Sequence, residues 1–321
     1  MTVWTSLRLS DDAFARLKQD ILPHHAVVAK AAEASNLVSA ATDAACRSAD
    51  IAFGQPSVDD VLASNSLRWV HLSSAGYTRF DHPTIRAALR ARGCVLTTSS
   101  GVYANPCAQH ALAMMLAHNR RLPDALIEQR DRQRWAYGDL RGRTRTLDGQ
   151  TVLLVGFGAI ARRLVELLRP FNADVSAVRR SVAGDEPVAT HPVSCLDDLL
   201  PSADHVVNLL PNATGTERLF HTARFARMRV GAGFYNVGRG DTVDQSDLID
   251  ALSSGRPAAA YLDVTTPEPL PADHPLWQTP NCFITPHIAG GTQEEQALLI
   301  QHFLENLRRF DAGRELLDRV V

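Results

Sequence analysis

Residues 151–168 read "TVLLVGFGAIARRLVELL". A short apolar run, residues 152–155, leads into a glycine turn and then into apolar residues at helical spacing. Gly156, Gly158 and Ala161 form a G-x-G-x-x-A pattern. Gly156 permits the tight turn, Gly158 lets the backbone approach a pyrophosphate, and Ala161 keeps the helix close to the strand. Phe157, Ala159 and Ile160 complete the turn. A helix N-terminus there offers unpaired N–H groups and a favourable dipole to an anion. The same glycine spacing also occurs in strand–helix turns without a ligand. The strand before it and the helix after it favour a dinucleotide site.

Towards the C-terminus the strand-and-helix rhythm continues through "ADVSAV" (173–178), "ADHVVNLLP" (203–211), "AGFYNVGRG" (232–240), "AAAYLDV" (258–264) and "CFITPH" (282–287). Strands alternating with helices imply parallel pairing by right-handed crossovers, hence a doubly wound α/β sheet. Towards the N-terminus, "ADIAFG" (49–54), "LRWVHLSS" (67–74) and "GCVLTTSS" (93–100) read as short buried strands. "NPCAQHALAMMLAHNRRLP" (105–123) reads as a long buried helix with Asn105 as N-cap and Pro106 at its first position. Gly255 suits the position just past a helix end. In the last helix, Thr292 and Glu295 suggest a capping box, and Ala297, Ile300, Leu304 and Leu307 fall on one face.

The 321 residues suffice for two domains. With 45% hydrophobic and 21% charged residues the composition is that of a globular protein. A formal net charge of −2 supplies no global basic field for nucleic acid or an anionic membrane. The five cysteines are widely spaced, with no CxxC pair. That argues against a disulfide framework and a zinc site, so no metal is expected. The N-terminus lacks the apolar core of a secretion signal, and no apolar run would span a bilayer. A cytoplasmic location is the expectation.

Four polar residues fall at predicted strand ends, the ligand edge of such a sheet. They are Arg239, Asp263, Glu268 and His287. Each alone has an ordinary structural explanation. Together they suit one reaction. A guanidinium orients a carboxylate through its planar fork. An imidazole gives or takes a proton on a carbonyl or hydroxyl oxygen. A neighbouring carboxylate stabilises the imidazolium and fixes its orientation. A nicotinamide supplies the hydride.

With these residues in place, the chain resembles the D-isomer-specific 2-hydroxyacid dehydrogenases, from "LSSAGYTRFD" (72–81) through "NVGRGDTVDQSDLIDAL" (236–252) and "LDVTTPEPLPADHPLW" (262–277) to "ITPHIAGGT" (284–292). The resemblance implies two doubly wound parallel-sheet α/β domains, a Rossmann cofactor domain (101–287) and a flavodoxin-like substrate domain (1–100 and 288–321), with the active site in the cleft. It implies catalytic Arg239, Glu268 and His287. It places Asp263 near the nicotinamide carboxamide, and Leu210, Pro211, Thr216, Val237 and Gly290 beside the cofactor. Ser74, Ala75 and Gly76 match a loop whose N–H groups meet the substrate carboxylate, with Tyr103 in the substrate pocket. A homodimer is implied, built on the region after the first long helix. Two departures stand out: Thr265 and Thr266 replace frequent aromatic and acidic residues, and Tyr103 replaces a smaller polar one.

In this family the second strand of the cofactor domain often ends in an aspartate that binds the adenosine ribose. Counted from Gly156, that position is Arg179, followed by Arg180 and Ser181. With no carboxylate left at that strand end, the three suit a 2′-phosphate. NADP(H) is therefore the expected cofactor, with NAD(H) second. The activity implied is an oxidoreductase acting on a small 2-ketoacid or D-2-hydroxyacid, of the glyoxylate or hydroxypyruvate reductase kind. A dinucleotide-sensing, corepressor-like binding protein and a dehydrogenase of an unusual acid such as phosphite are the alternatives.

Overall fold

The computed structural model describes residues 1–28, 38–213 and 215–321. The chain divides into two compact units, Met1–Tyr103 with Gly291–Val321, and Ala104–Gly290.

The first unit holds β1 (Thr2–Thr5), β2 (His25–Val28), β3 (Ile51–Gly54), β4 (Trp69–Leu72) and β5 (Val95–Thr97). All pairings are parallel, in the order β2-β1-β3-β4-β5. That is the flavodoxin-like order. β3 and β4 are buried along their whole length, as parallel strands covered on both faces must be. The helix Glu295–Asp311 packs here. Phe303 stacks on Phe53, with ring centroids 4.2 Å apart, and on Trp69 at 5.2 Å. Its buried face is Leu299, Ile300, Phe303, Leu304 and Leu307, and Ala297 is exposed. The face is rotated from the expected one because the larger Leu299 and Phe303 bury more area than Ala297. The expected capping box does not form. Thr292 Oγ1 accepts the Glu294 N–H at 3.1 Å, while Glu295 bonds the Tyr103 hydroxyl instead.

The second unit holds β6 (Thr151–Val155), β7 (Asp174–Arg179), β8 (Ala189–Pro192), β9 (His205–Asn208), β10 (Gly233–Asn236), β11 (Ala259–Leu262) and β12 (Cys282–Ile284). The order is β12-β11-β10-β9-β6-β7-β8, again parallel throughout. The strand order reverses at β6, the switch point where such sheets bind ligands. Leu153, Val155, Val206, Phe220, Phe225 and Phe234 belong to its core. Gly255 follows the helix Gln245–Ser253 with φ +76°, the left-handed residue past a helix end.

One element starts earlier than its sequence suggests. The long helix spans Ser100–Asn119 with Pro106 inside it. Proline costs one helical hydrogen bond there. The first turn is held from outside instead: Asp318 Oδ2 accepts the Gly101 N–H at 2.7 Å. Asn105 is not a cap, and its Oδ1 accepts from Arg163 Nε at 2.8 Å. Among the described residues no helix is long and apolar enough to cross a membrane.

Candidate active site

Gly156 follows β6 with φ +102°. A Cβ there would lie 3.2 Å from the Leu209 carbonyl carbon, so the turn needs glycine for both space and conformation. Its N–H donates to Val178 O at 2.9 Å, which ties the turn to β7. Gly158 is the N-cap of the helix Ala159–Leu168 and offers no side-chain acceptor. A Cβ on Gly158 would meet only open space. An uncapped helix N-terminus facing open space fits a pyrophosphate. Ala161 is fully buried against the sheet.

Beside this turn lies the loop after β9. Leu209 N–H donates to Val155 O at 2.8 Å, and Leu210 N–H to Asn208 Oδ1 at 3.3 Å. The Thr216 hydroxyl lies 2.8 Å from both Pro211 O and Ala213 O and closes the loop. Val237 is buried, with its N–H on Asn208 O. Gly290 is half-buried at the last residue of this unit.

Arg179 is the last residue of β7, and Arg180 and Ser181 follow it into solvent. The expectation that this turn lacks a carboxylate is corrected. Glu186 Oε1 accepts from Arg179 Nη1 at 2.7 Å and from the Ala183 N–H at 2.9 Å, and its Oε2 accepts the Gly184 N–H at 2.8 Å. The loop folds back on itself, so an acid seven residues along returns to the strand end.

The chemical residues sit on neighbouring strand ends. Arg239 follows β10 between two constrained glycines. A Cβ on Gly238 would stand 2.6 Å from Leu210 O, and one on Gly240 would collide with the Thr265 carbonyl. The Arg239 backbone is thereby fixed, and its Nη1 donates to Gly238 O at 2.7 Å. Burial lowers the guanidinium's pKa, while the Glu268 charge works the other way.

Glu268 stands after β11. Its Oε1 accepts the Thr265 N–H at 3.0 Å, and its Oε2 lies 2.7 Å from His287 Nδ1. Burial pushes the Glu268 carboxyl up, but hydrogen bonds from His287 and the Thr265 N–H, with the charges of His287 and Arg239, hold it below its ordinary value. His287 adopts φ +53°, a left-handed conformation that costs on the order of 1 kcal/mol outside glycine. Its N–H on Asp263 O at 2.8 Å holds it there.

Asp263 is buried and fastens the rest of that loop. Its Oδ1 accepts from the Thr285 hydroxyl at 2.7 Å and the Ile288 N–H at 2.9 Å, and its Oδ2 accepts the Ala289 N–H at 3.0 Å. This positioning work was not foreseen from sequence. Neither was His110, on the long helix, whose Nε2 lies 3.1 Å from Thr285 Oγ1. Nδ1 of His287 faces Glu268, and among the described residues its Nε2 has no protein partner. The pair can therefore hold a proton on Nδ1 and exchange one at Nε2.

Ser74, Ala75, Gly76 and Tyr103 belong to the first unit. The Ser74 hydroxyl donates to Gly76 O at 2.6 Å and accepts from Gln55 Nε2 at 3.0 Å. Arg79 Nη2 in turn donates to Gln55 Oε1. Gln55 and Arg79 brace this loop, and neither stands in a periodic pattern that would mark it. Tyr103 is buried, with its hydroxyl 2.8 Å from both Ser73 O and Glu295 Oε1.

Known proteins resemble this chain in sequence and fold. Residues 112–289 match the model of the D-isomer specific 2-hydroxyacid dehydrogenase, NAD binding domain. The glyoxylate reductase/hydroxypyruvate reductase of Mus musculus is 34% identical over 239 residues, 72% of this chain and 70% of that one. Glyoxylate/hydroxypyruvate reductase B of Escherichia fergusonii is 34% identical over 258 residues, 78% of this chain and 77% of that one. The crystal structure of a D-isomer specific 2-hydroxyacid dehydrogenase from Xanthobacter autotrophicus, in complex with NADPH and MES, covers 100% of this chain and 98% of its own at 28% identity, with a TM-score of 0.80. The chain belongs to the D-isomer-specific 2-hydroxyacid dehydrogenase family, and is an oxidoreductase with a dinucleotide-binding domain.

Proposed function

We propose that this protein is an NADP(H)-linked reductase of small 2-ketoacids of the glyoxylate and hydroxypyruvate class. The observation that carries the reading is the His287–Glu268 pair at 2.7 Å, on the strand-end edge that also holds Arg239. Arg239 grips the substrate carboxylate and turns its carbonyl towards His287. His287 Nε2 delivers the proton to the carbonyl oxygen, and Glu268 stabilises the imidazolium before transfer. Bound nicotinamide supplies the hydride. Gly156, Phe157, Gly158, Ala159 and Ile160 hold the pyrophosphate. The loop of Leu210, Pro211 and Thr216, with Val237, Asp263 and Gly290, lines the rest of the dinucleotide site. Ser74, Ala75 and Gly76 supply backbone donors to the carboxylate, with Tyr103 behind them, so the first unit is the substrate domain. Among the described residues, neither the Ala75 nor the Gly76 N–H has a protein acceptor, which supports that assignment.

Turnover of NADPH with a panel of 2-ketoacids tests the reading, and a protein that binds NADPH without oxidising it with any of them would end it. Arg180 and Ser181 are exposed at the ribose turn beside Arg179, so kcat/KM with NADPH should exceed that with NADH. Equal values for the two cofactors would refute the preference.

The proposed assembly is a homodimer in the cytoplasm. The segment after the long helix exposes Trp135 (91%), Tyr137 (60%), Leu122 and Leu126, apolar side chains that a second copy would cover. All five cysteines are free thiols, which suits a reducing compartment. Sedimentation equilibrium should return twice the chain mass, and Trp135→Glu should return the chain mass. A monomeric unmodified protein at micromolar concentration would exclude the dimer.

A further inference from the structure

We propose that Glu186 is an internal stand-in for the cofactor's 2′-phosphate, competing with it for Arg179 and so setting the balance between NADPH and NADH. The inference rests on the dinucleotide reading of this domain.

The geometry is that of an occupied anion pocket. Three donors converge on one carboxylate: Arg179 Nη1, the Ala183 N–H and the Gly184 N–H, all within 2.9 Å. Successive backbone N–H groups with an arginine beside them make the kind of concavity that binds phosphate elsewhere. Gly184 contributes with φ +86°, which turns its neighbourhood inward. The Glu186 side chain is only 2% exposed, against 29% for Arg179. The Ala183 N–H, with Arg179 and the Gly184 N–H, outweighs burial and holds the Glu186 carboxyl down at about 2. It is therefore ionised at neutral pH.

The pocket lies where the second phosphate must go. Arg179 ends β7 directly after Val178, whose carbonyl takes the Gly156 N–H of the glycine turn. In a dinucleotide fold the end of this strand meets the adenosine ribose. Residues 179–186 carry Arg179 and Arg180 but also Asp185 and Glu186, so the turn is formally neutral. A 2′-phosphate brought here must share Arg179 with Glu186, displace it, or rely on Arg180 and Ser181. The 2′-hydroxyl of NADH carries no charge and meets no such repulsion.

The test is calorimetric binding of NADPH and of NADH to the full-length protein, unmodified and as Glu186→Gln. Glutamine keeps the length and one acceptor oxygen but drops the charge. The dissociation constant for NADPH should fall roughly tenfold while that for NADH changes little. Adding Arg179→Gln to Glu186→Gln should abolish the gain, because the freed guanidinium is what the phosphate takes up. If Glu186 only fastened the loop, both cofactors would weaken together. An unchanged ratio of the two constants, or a shift towards NADH, would overturn the proposal. Failure of the NADPH-preference reading looks different. There the unmodified protein favours NADH, yet Glu186→Gln still moves the ratio towards NADPH.

Discussion

Arg239→Lys should lower kcat/KM for a 2-ketoacid by roughly a hundredfold, about 3 kcal/mol of transition-state stabilisation. The substitution keeps a positive charge and loses the planar fork that grips a carboxylate bidentately. Backbone adjustment cannot recover the contact, because Gly238 is packed on Leu210 and Gly240 on Thr265 with no room for a Cβ. Burial already works against the charge at this position, and an ammonium responds to desolvation far more than a guanidinium does. Most of the loss should appear as a raised KM for the ketoacid, with the dissociation constant of NADPH unchanged. Initial rates over a ketoacid concentration series, with NADPH saturating, measure it. A kcat/KM within threefold of the unmodified value would show that Arg239 is not the carboxylate anchor.

How far the sequence was legible depends on how local each signal is. The glycine turn is a strand, a turn and a helix within eighteen residues, and it could be read whole. The positions of Arg239, Glu268 and His287 after apolar runs placed them at strand ends, and β10 and β12 lie where those runs predicted. What local reading missed depends on contacts between distant residues. Glu186 returns to Arg179 only because the loop between them folds back. The early start of the long helix depends on Asp318, 217 residues away from Gly101. Tyr103 meets Glu295 across 192 residues, which also takes that glutamate out of the expected capping box. The buried face of the last helix could not be settled by periodicity, because Leu299 and Phe303 fit a helical stripe as well as Ala297 does. The family resemblance places Asp263 beside the cofactor and says nothing of its work in the loop. Its three loop contacts became visible only when β11 and the segment after β12 were placed side by side.

Reduction should depend on the pairing of Glu268 with His287. His287→Ala should lower kcat in both directions by two to four orders of magnitude, the usual contribution of a positioned acid or base. NADPH affinity should hardly change, since the pyrophosphate turn is built on other residues. Glu268→Gln makes the sharper test. Glu268 is held below the ordinary carboxylate range, so it is anionic across neutral pH. An anion 2.7 Å from Nδ1 offsets the positive charge of the ring from which reduction draws its proton. Without the carboxylate that charge loses its partner, so kcat for reduction should fall by roughly tenfold, part of what a positioned acid supplies. The glutamine oxygen still accepts from Nδ1, so orientation is largely kept and the charge is what changes. Initial rates at neutral pH, with ketoacid and NADPH both saturating, decide the matter. An unchanged kcat would mean that Glu268 orients His287 without supporting its proton.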